Sequence, residues 1–353
     1  MYVSAARDFA VRAPARIREI RLSVPETIEA TRLALECEAR YSDPDSPDFL
    51  AESAVVAHEL PLRVRHEIEQ ARLDDRLHAL VLRGNAVDQT ALGPTPEHWR
   101  TARTEGSRRY SFLFVLYASL LGDAVGWATQ QDGRVVTDVL PVRGQEQSLT
   151  SASSSMELGL HTEDAFSPYR ADYVGLFSLR NPDAVATTIA GLEVERLNPE
   201  LVDVLFDDRF YIRPDDSHLP KNNSTDRDGH GYYFTEIMAA IERPRPVPIL
   251  RGHYAAPQLR IDTDFSVPML GDSAAGAALD AIIAELGRSL YEITLGAGDI
   301  GFLDNRNVVH GRRSFQPRHD GTDRWLKRLN VTSDLRKSRA VRRTANARVL
   351  GES

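Results

Sequence analysis

The stretch GAGDIGFLDNRNVVHGRRSF, residues 296–315, carries the pattern that decides the fold. A glycine-rich turn leads into a short apolar run, an asparagine-rich turn follows, and a second apolar run ends at His310. Short runs of β-branched and aromatic residues between Gly, Asn and Asp are typical of the strands of a β-sandwich or barrel. We therefore predict two strands here. His310 lies at the end of the second, where Gly311 lets a ligand or a backbone segment approach closely.

Runs of the same kind continue on both sides of this stretch, over residues 123–334. A helical pattern interrupts them at 273–290, whereas residues 1–122 carry mainly helical patterns. The chain contains no internal repeat and no low-complexity linker. We therefore predict one α+β domain over residues 1–353, in which a helical flank precedes a β-rich core.

The composition excludes several classes of protein. Of the 353 residues, 43 are basic and 51 acidic, for a formal charge of −8 that does not suit a protein built to coat nucleic acid. Cys37 is the only cysteine, which excludes intrachain disulfides and thiolate metal sites. No apolar run is long enough to span a bilayer, and the N-terminal stretch lacks the apolar core of a signal peptide. We expect a cytoplasmic protein with no membrane partner.

Two segments fall outside the regular patterns. Residues 212–231 are polar, rich in Pro, Gly and Asn, and without periodicity, as in a functional lid or a disordered loop. The C-terminal tail, residues 335–353, carries six basic residues within 14 positions. That tail is either a nucleic-acid arm or a solvated helix end or frayed terminus, and the acidic balance of the whole chain favours the second interpretation.

The motif His161-Thr162-Glu163 can supply two ligands to a metal ion. Residues two apart on a strand project from the same face. With a histidine from a distant strand they would form a 2-His-1-carboxylate triad, which leaves positions open for oxygen chemistry at Fe(II). His310 is the best candidate for the third ligand, and His253 and His319 are its competitors.

Two pairs of charged residues could surround such a metal. Arg324 and Arg328 are an even number of residues apart, so on a strand they share a face and could bind two carboxylates. Asp262 and Asp264 alternate with apolar residues, which predicts a strand with one carboxylate-bearing face. A guanidinium, a divalent cation or bulk water would each satisfy the aspartates, and an exposed edge strand would also explain the arginines.

The combined spacing of His161, Glu163, His310, Arg324 and Arg328 resembles the clavaminate synthase-like Fe(II)/2-oxoglutarate oxygenases. Within that family it is most similar to the arginine hydroxylases of peptide-antibiotic biosynthesis, of the viomycin type. The resemblance extends over residues 126–334. It implies a double-stranded β-helix, or jelly-roll, core with flanking α-helices. It also implies Fe(II), 2-oxoglutarate and O2 as cofactor and cosubstrates, with the two histidines and Glu163 as the iron ligands.

The resemblance assigns a role to each remaining candidate. Arg324 matches the arginine that pairs with the distal carboxylate of 2-oxoglutarate, and Thr188 adds a hydroxyl there, although the adjacent Thr187 is not separated from it. The implied substrate-binding residues are Gln130 near the α-amino group, Glu163, Arg328 at the α-carboxylate, Asp262 and Asp264 at the guanidinium, and Asp215 and Ser217 in the lid.

The implied activity is hydroxylation of free L-arginine, a small-molecule substrate, at C3. Alternatives with the same chemistry are an arginine derivative such as enduracididine, lysine or asparagine as substrate, and C4 hydroxylation, dihydroxylation or desaturation of arginine. Asparagine fits less well, because two aspartates suit a guanidinium better than a neutral amide. An alternative of another class is a non-catalytic β-barrel that binds a metal or a carboxylate. The sequence leaves the oligomeric state open.

Overall fold

The computed structural model describes residues 16–146, 154–223 and 233–351, which form a mixed α/β structure. The α-helices in these ranges are α1 Val24–Arg40, α2 Pro47–Val56, α3 Leu62–Arg72, α4 Gln89–Leu92, α5 Glu105–Ala118, α6 Pro199–Phe206, α7 Tyr233–Glu242 and α8 Ser273–Arg288. The strands are β1 Ile17–Arg21, β2 Ala79–Arg83, β3 Asp123–Trp127, β4 Thr137–Val139, β5 Leu158–His161, β6 Tyr173–Arg180, β7 Thr187–Gly191, β8 Phe210–Ile212, β9 Leu250–His253, β10 Ala256–Leu259, β11 Ser266–Pro268, β12 Leu290–Ile293, β13 Ile300–Asp304, β14 Val308–Arg312, β15 Trp325–Thr332 and β16 Val349–Leu350.

Two sheets carry most of these strands. The larger has the order β1-β2-β13-β6-β15-β3-β16, and β4 also pairs with β15. It is mainly antiparallel, with parallel pairs at its two edges, β1 with β2 and β16 with β3. The smaller sheet is antiparallel, with the order β12-β7-β14-β5. Residues 296–315 therefore supply one strand to each sheet, β13 to the larger and β14 to the smaller.

Buried side chains hold the two sheets face to face. A core cluster combines Ile189 and Val308 of the smaller sheet with Leu176, Leu303 and Leu326 of the larger one. Burying side chains of this size stabilises the fold by about 1.5–3 kcal/mol each relative to exposing them. This cluster makes the space between the sheets the interior of the molecule.

Helices cover the outer faces of both sheets. α1 and α5 pack on the larger sheet through a cluster rich in aromatic residues, including Phe49, Phe112, Phe114 and Phe177. α6 and α8 pack on the outer face of the smaller sheet, against Ala190 and Val309. Across the described ranges, no helix is both long and apolar enough to cross a bilayer. The region before residue 123 is also more than a flank, since β1 and β2 belong to the larger sheet.

The basic tail is folded onto the body of the protein. A 3₁₀ helix over Leu335–Val341 is followed by β16, which pairs with β3. Arg342 is 3% exposed, and its guanidinium donates to the carbonyl oxygens of nearby residues of the tail. Arg348 pairs with Asp123 at 2.9 Å. Residues 335–351 are therefore neither a free arm nor a frayed end. The helix that begins the tail does carry exposed basic side chains, at Arg336, Lys337 and Arg339, as the interpretation of a solvated helix end predicted.

Candidate metal centre and substrate pocket

The predicted triad comes together on the interior face of the smaller sheet. His161, at the end of β5, and His310, on β14, are direct partners in the strand register. Their Nε2 atoms lie 3.6 Å and 3.4 Å from Glu163 Oε2. The three side chains can thus present one ligand atom each, all within 4.8 Å of one another. Of the competing histidines, His253 is exposed on β9 and His319 lies at a turn with φ of 53°.

Hydrogen bonds to the backbone orient two of the ligands. His161 Nδ1 lies 2.9 Å from the carbonyl oxygen of Gly159. This nitrogen therefore donates the hydrogen bond, and in the neutral ring the lone pair on Nε2 is free to bind a metal. The backbone N–H of Glu163 donates to Asn305 Oδ1, and Asn305 Nδ2 donates back to the Glu163 carbonyl. Asn305 is 1% exposed and follows β13. The sequence analysis missed it, since an asparagine in a turn carries no signal of this kind.

Burial and charge set different pKa values for the three ligands. Burial lowers the pKa of His161, but the hydrogen bond to Glu163 and the charge of Asp262 raise it more, to about 9. Burial and the positive charge of His161 lower the pKa of His310 to about 4. Burial would raise the pKa of Glu163, yet Arg328 and the histidines hold it well below its usual value. The carboxylate is therefore ionised and ready to bind a cation.

The donor set fits Fe(II). Two imidazole nitrogens and one carboxylate on one side of an ion form the facial arrangement of non-heme iron oxygenases, which leaves three positions for other ligands. The described residues near the triad offer no thiolate, since the only cysteine, Cys37, is buried elsewhere. The residues present thus suit iron better than a closed structural zinc site.

Arg324 is a buried cation that pairs with no carboxylate of the described residues. It is 5% exposed and immediately precedes β15, and its Nε has no hydrogen-bond partner among the described residues. Burial and the neighbouring charge of Arg312 lower its pKa. A buried guanidinium is costly unless a carboxylate pairs with it. This site is therefore ready to bind the carboxylate of a small molecule.

The strand register separates the two adjacent threonines. On β7, Thr187 lies opposite Arg312 and Thr188 lies opposite Gly311. Since alternate residues of a strand face opposite sides, Thr187 shares the interior face with His310, and Thr188 lies on the outer face. Of the two threonines that the sequence left unseparated, the register thus puts Thr187 and not Thr188 on the face that carries His310. The sequence could not show which residue of β7 opposes which residue of β14.

Asp262 and Asp264 lie in a tight turn, so the prediction that they share one strand face is wrong. The backbone N–H groups of Asp264 and Phe265 both donate to Asp262 Oδ1, which bends the chain between β10 and β11. The turn still reaches the metal centre, because Asp262 forms a β-bridge with His161. Asp264 lies against Gly159 so closely that a Cβ there would be 2.3 Å from its Oδ2.

These two carboxylates have no lysine or arginine partner among the described residues, although the charge of His161 acts on both. No ion pair within the described ranges joins Asp262 or Asp264 to a lysine or arginine. Burial raises the pKa of Asp264 and raises that of Asp262 to about 6. A bound cation would reverse this effect by stabilising both ionised carboxylates. The pair is therefore able to accept a positive group beside His161.

The other predicted substrate residues adjoin one another beyond β3. Gln130 Nε2 donates to Ser217 Oγ at 2.8 Å, and Asp215 Oδ1 accepts the backbone N–H of Ser217. Asp216–His218 form a short 3₁₀ turn that starts the predicted lid. Residues 224–231 of that lid lie outside the described residues. Arg328 lies on β15, where its guanidinium pairs with Glu163.

Comparison with known proteins identifies the class. Residues 114–330 match the taurine catabolism dioxygenase TauD, TfdA family, which covers the triad and both arginines. The chain belongs to this family of dioxygenases.

Particular relatives are closer still. An enduracididine beta-hydroxylase of Streptomyces hygroscopicus is 42% identical over 90% of this chain and 95% of the relative. An L-ornithine/L-arginine 3-hydroxylase of Catenulispora acidiphila is 36% identical over 95% of this chain and all of the relative. A solved structure of the non-heme iron oxygenase OrfP with Fe, succinate and (3S)-hydroxy-L-Arg is 41% identical, covers 94% of this chain and 99% of its own, and has a TM-score of 0.91.

Proposed function

We propose that this protein is a single-domain Fe(II)/2-oxoglutarate-dependent oxygenase, spanning residues 1–353, that hydroxylates free L-arginine at C3. The two sheets packed face to face around one buried cluster support a double-stranded β-helix core. The single observation that carries the substrate assignment is the aspartate turn, Asp262 and Asp264, which lies beside His161 and pairs with no lysine or arginine of the described residues.

His161, Glu163 and His310 would hold the iron. When bound, iron with 2-oxoglutarate supplies the oxidising chemistry, in which O2 gives one oxygen atom to the substrate while the cosubstrate becomes succinate and carbon dioxide. The protein's own contribution is to fix the ligand orientation through Gly159 and Asn305.

Arg324 and Thr187 would hold 2-oxoglutarate. The buried guanidinium of Arg324 needs a carboxylate partner, and the distal carboxylate of 2-oxoglutarate would supply one while its other end binds the metal. Thr187 lies on the same interior face as His310 and can donate its hydroxyl to the same group. Pairing with the diacid would remove the cost of the buried, uncompensated charge.

Two charged anchors would hold the two ends of arginine. Arg328 is positioned beside Glu163 for the α-carboxylate, and the aspartate turn receives the guanidinium. Guanidinium and carboxylate groups match each other bidentately, which gives orientation as well as affinity. Fixing both ends decides which carbon faces the metal, and a site of this kind rejects amino acids that lack the cationic end.

The lid residues complete the pocket. Gln130 and Ser217 are already bonded to each other across the start of the lid, where they would meet the α-amino group and the far end of the substrate. Closing this side excludes water from the reacting centre, so that oxidation is not uncoupled from the substrate.

One alternative substrate has an observation in its favour. The similar protein from Streptomyces hygroscopicus is named for enduracididine, whose cyclic guanidine presents the same positive charge to an aspartate pair. Lysine is less well matched, because a compact ammonium cannot bridge two carboxylates as a planar guanidinium does.

The test is a substrate panel. Protein with Fe(II), 2-oxoglutarate and O2 receives L-arginine, enduracididine, L-lysine or L-asparagine in separate reactions, and succinate and product mass are measured. L-Arginine should stimulate succinate formation and give a product with one added oxygen. His161→Ala should abolish both, and the control His253→Ala, exposed on β9, should not. Stronger use of enduracididine would favour the alternative, a loss of two hydrogens would favour desaturation, and no stimulation by any amino acid would contradict the proposal.

A further inference from the structure

A buried chain of hydrogen bonds runs from the metal centre to the lid. Asp164 Oδ1 lies 2.9 Å from His218 Nε2, and His218 Nδ1 lies 2.8 Å from Thr129 Oγ1. His218 is fully buried, and the other two are 3% and 2% exposed. Because a carboxylate only accepts, Nε2 carries the proton and Nδ1 accepts from the threonine hydroxyl in the neutral ring.

The inner end of this chain is rigid. Asp164 follows the metal ligand Glu163 directly and has φ of 52°, a left-handed conformation that few non-glycine residues adopt. Its other oxygen, Oδ2, accepts from Trp127 Nε1 at 2.6 Å and from Asn330 Nδ2 at 3.0 Å. Three donors on one carboxylate fix its position, and they fix it to β3 and β15 of the larger sheet.

The outer end carries the start of the lid. His218 closes the 3₁₀ turn that contains Ser217 and follows Asp215, two of the predicted substrate residues. Trp127 and Phe166 pack edge-on against its ring, at centroid distances of 5.6 Å and 4.9 Å. The imidazole thus fills a socket formed by the side chains of Trp127 and Phe166. Its two nitrogens hydrogen-bond to Asp164 and Thr129.

A second bond set keeps the same turn against the loop after β3. Asn223 Nδ2 donates to the carbonyl oxygens of Thr129, Ser217 and Leu219. Together with the Gln130–Ser217 bond, these bonds hold the ends of the turn against the loop after β3. The bond between His218 and Asp164 links this turn directly to the residue that follows Glu163.

We propose that His218 is a positioning residue: by bonding Asp164 and Thr129 it fixes the substrate-contacting turn of residues 215–218 relative to the metal ligand Glu163. This inference rests on the proposed function, since it assigns Asp215 and Ser217 to the substrate. Without the two hydrogen bonds of the imidazole, the turn still forms, but its position relative to the metal centre is no longer fixed. The substrate then binds loosely, and water reaches the centre during turnover.

The test compares two substitutions of His218. His218→Phe keeps an aromatic ring in the socket and removes both hydrogen bonds, while His218→Gln keeps a donor that can reach Asp164. Three quantities are measured: the KM for L-arginine, the ratio of hydroxylated product to succinate, and hydrogen–deuterium exchange of residues 215–223 in the metal-free protein. His78→Gln is the matched control, because His78 is a largely buried histidine bonded to Tyr291 on another part of the sheet.

We expect His218→Phe to raise the KM for arginine by about tenfold, the scale of one lost hydrogen bond to a charged group. The product-to-succinate ratio should fall, the KM for 2-oxoglutarate should stay within about twofold, and exchange at 215–223 should rise. His218→Gln should restore part of each change, and His78→Gln should alter none of them.

Unchanged exchange at 215–223 in His218→Phe would overturn the inference whatever the substrate is. A faster exchange with unchanged arginine KM and product ratio would also overturn it, since the anchor would then be purely structural. If the wild-type protein shows no arginine-dependent turnover, the proposed function fails, and the exchange result still decides whether His218 anchors the turn.

Discussion

Arg328 Nη1 lies 2.7 Å from Glu163 Oε1, so the residue assigned to the substrate carboxylate is bonded to a metal ligand. The other oxygen of Glu163, Oε2, faces the two histidines. One carboxylate is therefore shared between the metal centre and the substrate anchor. Since a guanidinium has five N–H donors, Arg328 can keep this bond and still bind a second carboxylate. The proposed substrate site and the metal centre are thus joined through the two oxygen atoms of the Glu163 carboxylate.

Replacing Arg328 by Lys should weaken arginine binding more than metal binding. A lysine retains the charge near Glu163 but cannot bind two carboxylates in a planar, bidentate way. Losing one partner of a buried charged hydrogen bond costs about 2–5 kcal/mol, which corresponds to a rise in KM for arginine of about 30-fold or more. Steady-state kinetics measure it, and the exposed Arg313→Lys is the control. An unchanged KM would remove Arg328 from the substrate site.

Asp264→Asn should remove affinity for the guanidinium while leaving the metal site intact. The substitution keeps the shape of the side chain and deletes one of two negative charges that pair with no lysine or arginine within the described ranges; the basic group near them is the metal ligand His161. We expect the KM for L-arginine to rise by about tenfold or more, the scale of a charged hydrogen bond. Metal affinity should not change. Asp280→Asn, exposed on α8, is the matched control. Equal arginine kinetics in both variants would contradict the guanidinium assignment.

Gly159→Ala should act on Asp264 without touching the substrate itself. The new Cβ would lie 2.3 Å from Asp264 Oδ2, the far end of a flexible side chain that can move away. The displaced carboxylate no longer faces the pocket, so the KM for arginine should rise. The protein should still fold, because the contact is with a side-chain end. Thermal unfolding measures whether the variant is stably folded, and steady-state kinetics measure its KM for arginine. A wild-type KM in this variant would show that arginine binding does not depend on the position of Asp264 beside Gly159.

Metal binding should release a proton near neutral pH. In the absence of a metal, His161 has a pKa of about 9 and carries a proton at pH 7, whereas His310, with a pKa of about 4, is neutral. A metal binds only the neutral imidazole. The apparent affinity for the metal should therefore rise with pH until the pH exceeds the pKa of His161 in the metal-free protein. Anaerobic titration with Co(II) in weakly buffered solution measures both quantities. A flat affinity between about pH 6 and 9 with no proton release would contradict the pKa assigned to His161.

The sequence predicted the metal triad because its signal is local and chemical. A His-x-Glu motif and a histidine in a later apolar run are readable from residue types, and the register then places His161 directly opposite His310. The strand geometry was predicted less well, because β5 ends at His161, before Glu163, and His310 lies in the middle of β14. The predicted strand around Asp262 failed for an equally local reason. Alternation of polar and apolar residues indicates a strand, but Asp262 Oδ1 caps two backbone N–H groups and forms a turn instead.

Contacts between segments that are far apart in the chain could not be predicted from the sequence. The choice between Thr187 and Thr188 depends on which residue of β14 each one faces. The role of His218 depends on a partner 54 residues away, Asp164, whose position next to Glu163 gave no hint of it. The family resemblance supplied roles for matched positions, but it could not supply partners that only packing creates.

The most direct test of the proposed function is the reaction with L-arginine carrying deuterium at both C3 positions. The product should gain one oxygen and lose one deuterium, because the hydroxyl replaces a hydrogen isotope at C3. Succinate should form in equal amount when oxidation is coupled to the substrate. A product that gains oxygen and keeps both deuterium atoms would place the hydroxyl on another carbon. If folded, metal-loaded protein forms no oxygenated product, that result would contradict the account of this site as an arginine hydroxylase.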